Sequence, residues 1–151
     1  MTEPGLLELH KQHREGQAKY TYFLLAAAAS AVAFAVQKTS GAKLSWFMIP
    51  LGIATFFWGL SFYCGCKNLL WVQTAIFANY SLLQLKSGMH PDQPSHPQLL
   101  QAAEEGIRSA IKTNIDGAEL HGKWQFRSLI LGAIFFLAWH ILDMVIRTFT
   151  T

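Results

Sequence analysis

The sequence predicts an all-α integral membrane protein: three transmembrane helices, an N-terminal amphipathic helix, and a cytoplasmic antiparallel helical hairpin between spans 2 and 3. Three observations predict it. Only 14% of the 151 residues are charged, against about 25% in an ordinary soluble domain. The charges sit between three windows that hold almost none. Between the second and third windows, two further apolar stripes of helical period flank a proline-rich knot. A chain of this length accommodates one domain more readily than two, so residues 1–151 are expected to form a single membrane domain.

The first segment, EPGLLELHKQHREGQAKY, reads as a helix start, with Thr2 as N-cap and Pro4 in the first turn. Leu6, Leu9 and His13 recur at helical spacing, which suits a short helix lying along the inner membrane surface. His10 and His13 lie one turn apart, but no carboxylate or cysteine stands at a convincing companion spacing for a metal.

The first span, about 20–37, is the uncharged run YTYFLLAAAASAVAFAVQ. Roughly 20 apolar residues at about 1.5 Å each cross about 30 Å of hydrocarbon. Ala29-Ser30-Ala31 resembles a signal-peptide cleavage site, yet Glu3, Glu8 and Glu15 precede it, unlike a short basic leader. Ala27, Ala31 and Ala35 form a row of small residues, and Ala29 with Ala33 another. Inside lipid, helix association depends on the close backbone approach that such rows permit.

The second span, about 44–66, is LSWFMIPLGIATFFWGLSFYCGC. Pro50 and Gly52 lie well inside its outer edge, so a kink is expected there. Trp46 and Tyr63 suit the two aromatic belts, and Thr55 and Ser61 can bond back along the helix or across to a neighbour. Cys64 and Cys66 are expected as free thiols or acylation sites, with packing as the plainer role, because two ligands do not make a zinc site.

Residues 67–123 are expected to form the cytoplasmic hairpin, with its tip at the knot SGMHPDQPSHPQ, 87–98. Before the knot the stripe is Leu69, Val72, Ile76, Tyr80 and Leu83; after it, Leu100, Ala103, Ile107, Ile111 and Ile115. Glu104, Arg108, Lys112 and Asp116 follow one another at i,i+4, which is first of all a solvated face. Arg108 and Lys112 are also the candidate contacts for a cytoplasmic small-molecule or protein signal. His90, Asp92 and His96 make too weak a pattern for a metal site. No phosphate loop, nucleophile elbow, HExxH or dinucleotide fingerprint is present, so neither an enzyme nor a cofactor is expected.

The third span, about 128–147, carries LAWHILDMVIR near its end. On a wheel at 100° per residue, Gln125, Leu129, Gly132, Ala133, Phe136, His140, Asp143, Met144 and Arg147 share one face, and Ile134, Ala138, Ile141, Leu142, Val145 and Phe149 lie opposite. His140, Asp143, Arg147, Gln125 and Phe136 are therefore candidates for a pore lining or an intramembrane polar network. Gly132 and Ala133 are candidates for close helix packing. Candidate partners for the network on the other spans are Lys38, Lys43, Ser45 and Ser30. Depth decides the meaning of this stripe. If the span starts at Ser128, Asp143 lies inside the hydrocarbon; if it starts at Trp124, Asp143 reaches the interface and the network is an ordinary anchor.

Nine Lys and Arg fall on the side of the N-terminus and three on the other, which places the N-terminus in the cytoplasm and the C-terminus outside. A bacterial inner membrane is the expected location. The net charge of +3 follows from this bias, and no basic stripe interleaved with aromatics points to nucleic acid. The expected partners are the lipid bilayer and further copies of the chain.

One polar-faced helix among three cannot enclose a pathway alone. A homo-oligomeric channel or pore whose cytoplasmic helices gate it or receive a signal is therefore the leading expectation. Small membrane effectors of bacterial defence systems share that plan, which is an analogy of architecture only. The other expectation is a non-catalytic accessory or assembly subunit of a membrane complex.

Overall fold

The computed structural model describes residues 3–41 and 45–149; within the first helix, the side chains of 3–7, 9, 10, 13 and 14 lie outside the description. Thr2, Lys43 and Leu44 therefore fall outside it, as do the side chains of Leu6, Leu9, His10 and His13. Among the described residues the chain is helical, with no strand. The elements are α1 (Glu3–Thr39), a 3-10 turn (Trp46–Met48), α2 (Ile49–Ser87) and α3 (Pro97–Phe149). Three stretches are long and apolar enough to cross a membrane: Glu15–Thr39, Trp46–Ser87 and Pro97–Phe149.

Two sequence expectations change here. No separate surface helix precedes the first span, because α1 runs unbroken from Glu3 to Thr39. Beyond the first turn, with Pro4 and Gly5, nothing interrupts it but Gly16, and a single glycine costs a helix only about 1 kcal/mol. Nor is Pro50 a mid-helix proline. It falls in the first turn of α2, where its missing N–H would have had no partner within the helix in any case.

The described residues divide into two compact units, one of those up to Gly65 together with those from Lys123, the other Cys66–Gly122. In the first unit α1 buries Leu24, Ala28 and Ala35, α2 buries Leu51, Ala54, Trp58, Ser61 and Cys64, and α3 buries Gln125, Ser128 and Gly132. The small-residue face of α1 is thus centred on Ala28 and Ala35. Ala27 and Ala31 lie half-buried at its edge, whereas Ala29 and Ala33 are exposed.

Gly132 is small for a direct reason: a Cβ there would lie 2.5 Å from the Trp58 indole. Ala133, beside it, is half-buried. Phe34 meets Phe136 at 5.9 Å, Phe57 stacks on Phe135 at 5.8 Å, and Trp58 meets Phe136 at 5.5 Å. Contacts between α1 and α3 climb together in residue number, whereas those between α2 and α3 run oppositely. Cys64 is buried and Cys66 half-buried, both as free thiols.

The second unit contains the 66–87 part of α2 and the 97–122 part of α3. Asn68 Nδ2 donates to the Ala118 carbonyl, Trp71 lies against His121 at 6.3 Å, and a Cβ on Gly117 would meet the Trp71 ring at 2.9 Å. Further along, Leu82 and Leu85 are buried, as are Asn114 and Ala118 opposite. The expected stripe of α3 is the packed one over most of its length, since Leu100, Ala103, Ile107 and Ile111 are half-buried, whereas its last member, Ile115, is exposed. That of α2 is not. Val72, Ile76, Tyr80 and Leu83 are exposed, and the packed face runs instead through Trp71, Ala75, Ala78, Leu82 and Leu85.

Helix α2 ends in a Schellman closure, with Met89 N–H donating to Gln84 O (3.0 Å) and Gly88 N–H to Leu85 O (3.3 Å). Gly88 takes φ +72° to make it. Gln93 Nε2 caps the Leu85 carbonyl as well (3.2 Å). Pro97 opens α3 at the position where proline is best tolerated. Gly88→Ala should therefore lower the stability of the second unit by about 1–2 kcal/mol, seen as a reduced thermal midpoint; an unchanged midpoint would refute the left-handed closure.

Candidate functional site

The polar residues of the first unit gather in two places. The first is a clasp at one level of all three helices. Ser61 Oγ donates to the Gln125 carbonyl (2.8 Å), and Gln125 Nε2 donates to the Thr21 carbonyl (3.3 Å). Gly65 makes room for this glutamine, because a Cβ there would lie 2.5 Å from Gln125 Nε2 and 2.6 Å from Leu25. Gln125 is 1% exposed. A buried amide without partners would cost heavily, so Ser61, Thr21 and the glycine gap belong to one arrangement. Ser128, one turn on, is also buried, and its hydroxyl has no partner among the described residues.

The second place is the end of α3. Asp143 Oδ2 pairs with Arg147 at 3.0 Å, with the aspartate side chain 32% exposed and the arginine 79% exposed. His140 is exposed, and its ring lies parallel to Phe136 at a centroid distance of 6.5 Å. On α1, Lys38 Nζ sits 5.9 Å from the Phe34 ring centre. Ser30 and Ser45 are exposed.

The sequence stripe is thus split. His140, Asp143 and Arg147 lie together on the outside of the chain. Gln125, Gly132 and Phe136 are taken up by contacts with α1 and α2 and do not line an open surface within a single chain. The stripe was legible as helical period. Its division was not, because it depends on where Trp58 lands on Gly132 and Ser61 on Gln125, across 74 and 64 positions of sequence respectively. Thr55, which precedes Ser61 on the second span, bonds back to Leu51 O (2.9 Å).

In the second unit, Arg108 and Lys112 share an open groove with Asn79, Leu82, Ile111 and Ile115. Arg108 approaches Glu104 at 3.8 Å and is half-exposed, the geometry of a solvated ion pair. His90 Nδ1 accepts from the Asp92 N–H (3.2 Å) within the connecting turn. Among the described residues no three His, Cys, Asp or Glu side chains stand together as a metal site. No protein-family model, no curated protein and no solved structure matches this chain.

Proposed function

We propose that this chain is a non-catalytic assembly subunit of a membrane complex, anchored by the helices of its first unit and holding its second unit in the cytoplasm. The supporting observation is where the buried polar groups go. Ser61 bonds to the Gln125 carbonyl and Gln125 to the Thr21 carbonyl, and the exposed residues between the charged ends of the spans are mostly apolar: Phe23, Phe56, Phe62, Ile134 and Leu137 among them. A surface of that kind faces lipid or another helix rather than water.

The clasp supports one of the two membrane registers. Thr21 and Gln125 share a level, so Lys19 and Lys123, two residues before them, mark one boundary together. From Lys123, 20 residues of helix reach Asp143 after about 30 Å. From Lys19, Lys38 is reached after about 28 Å. The third span therefore starts near Trp124, and Asp143 and Arg147 sit at the outer interface as an anchor. Tyr20 and Tyr22 at the inner end, and Trp46 and Phe47 at the outer, are exposed as aromatic belts require. The lysine and arginine bias puts the N-terminus inside.

Purified protein in liposomes should leave ion flux at the level of protein-free vesicles. Sustained flux would overturn the assembly reading and favour a homo-oligomeric channel. One observation supports that second reading: His140 is exposed and Asp143 half-exposed on the same helix, so a ring of copies would bring both to a common axis. In that case His140→Ala and Asp143→Asn should change the conductance.

A further inference from the structure

The face of α2 that the sequence marks as a stripe is the one the described residues leave uncovered. Val72 is 39% exposed, Ile76 50%, Tyr80 57% and Leu83 60%, with Leu69 half-buried at the start of the row. We infer that this stripe is a self-association surface, along which the second unit of one copy packs against the same stripe of a second copy. The inference rests on the proposed placement of this unit in the cytoplasm, where no lipid tail covers it.

Three observations favour a second copy as the occupant. The first is charge. Residues 68–85 include no Asp, Glu, Lys, Arg or His. The bracketing Lys67 and Lys86 project at least about 80° from the stripe's centre on a wheel at about 100° per residue. An acidic or basic partner finds nothing to pair with on this face, whereas an identical face matches it.

The second is spacing. Leu69 to Tyr80 and Val72 to Leu83 are both intervals of 11 residues. Eleven residues are close to three full helical turns, so both pairs stay on one side of the helix and present a continuous row to a facing helix. The third is symmetry and size. Copies held in one bilayer share orientation, so identical stripes are free to meet about a two-fold axis along the membrane normal. An exposed apolar patch on the order of several hundred Å² stands at the upper end of what a soluble monomer carries, where such patches are often functional. Two of them facing one another approach the roughly 1,000 Å² of a specific interface.

The test uses the full chain in proteoliposomes with Cys64→Ala and Cys66→Ala. Single cysteines are placed at the stripe (Ile76→Cys, Leu83→Cys) and at Thr113→Cys, an exposed position on the other helix of the unit. Mild oxidation should give a covalent dimer at the two stripe positions and several-fold less at Thr113→Cys. With the native cysteines, Ile76→Glu plus Leu83→Glu should convert the dimer seen by native mass spectrometry to monomer while helix content is kept. Equal cross-linking at all three positions, a monomeric parent chain, or a dimer that survives the glutamates would each overturn the self-association stripe. Recovery of the stripe cysteines only in adducts with another membrane protein, when cross-linking is repeated in whole membranes, would overturn it in favour of a foreign partner. Flux in the same vesicles reports separately on the assembly reading, since conduction would sink that reading and leave the cross-linking pattern standing.

Discussion

Trp58→Ala should cost the first unit about 3 kcal/mol, the lower end of the range for removing a buried tryptophan. The indole is 5% exposed, closes a core with Ala35, Leu51 and Ala54, and lies over Gly132 and against Phe136. In lipid the loss is chiefly of packing contacts rather than of burial from water, which is why the lower end applies. Gly132→Ala should cost about 1–3 kcal/mol by the opposite route, because a methyl group 2.5 Å from a rigid ring forces the helices apart. Since the two residues fill one space, Trp58→Ala combined with Gly132→Leu should lose less than the two single changes together. Equilibrium unfolding of the purified protein in mixed micelles, followed by circular dichroism, measures this. Strict additivity would mean that Trp58 and Gly132 do not face each other.

The same pair shows what a sequence can and cannot yield. The apolar runs marked all three helices because a continuous uncharged stretch needs no partner to be recognised. The polar face of α3 was legible for the same reason, being a period within one helix. Which part of that face is covered was not, since Gln125 is buried only because Ser61, Thr21 and the gap at Gly65 arrive at its level from two other helices.

The second unit gives the sharper case. Its α2 segment has two apolar faces, one with Trp71, Ala75, Ala78, Leu82 and Leu85 and one with Leu69, Val72, Ile76, Tyr80 and Leu83. Hydrophobicity alone favours the second. The first wins the intramolecular contact because alanines at 75 and 78 and Gly117 opposite let the two helices approach closely, which β-branched Val72 and Ile76 would not. Small residues thus specify the contact, and bulky ones are left over for another.

Gly117→Ala should accordingly destabilise the second unit by about 1–3 kcal/mol, and Gly117→Leu by more. A Cβ at this position would lie 2.9 to 3.3 Å from three ring carbons of Trp71, and the ring cannot yield as a flexible side chain would. The separation would also strain the Asn68 bond to the Ala118 carbonyl, worth about 1 kcal/mol net. Gly106, on the same helix and in the same unit, is the internal comparison. Nothing lies within 4 Å of a Cβ built there, so Gly106→Ala should gain about 0.5–1 kcal/mol from helix propensity and a less flexible unfolded chain. Amide hydrogen exchange across 66–122 should be faster in the first variant and slower in the second. If both substitutions slowed exchange, Gly117 would be an ordinary exposed helix position. The close approach at Trp71, and with it the reason that Val72 and Ile76 stay outside, would fall.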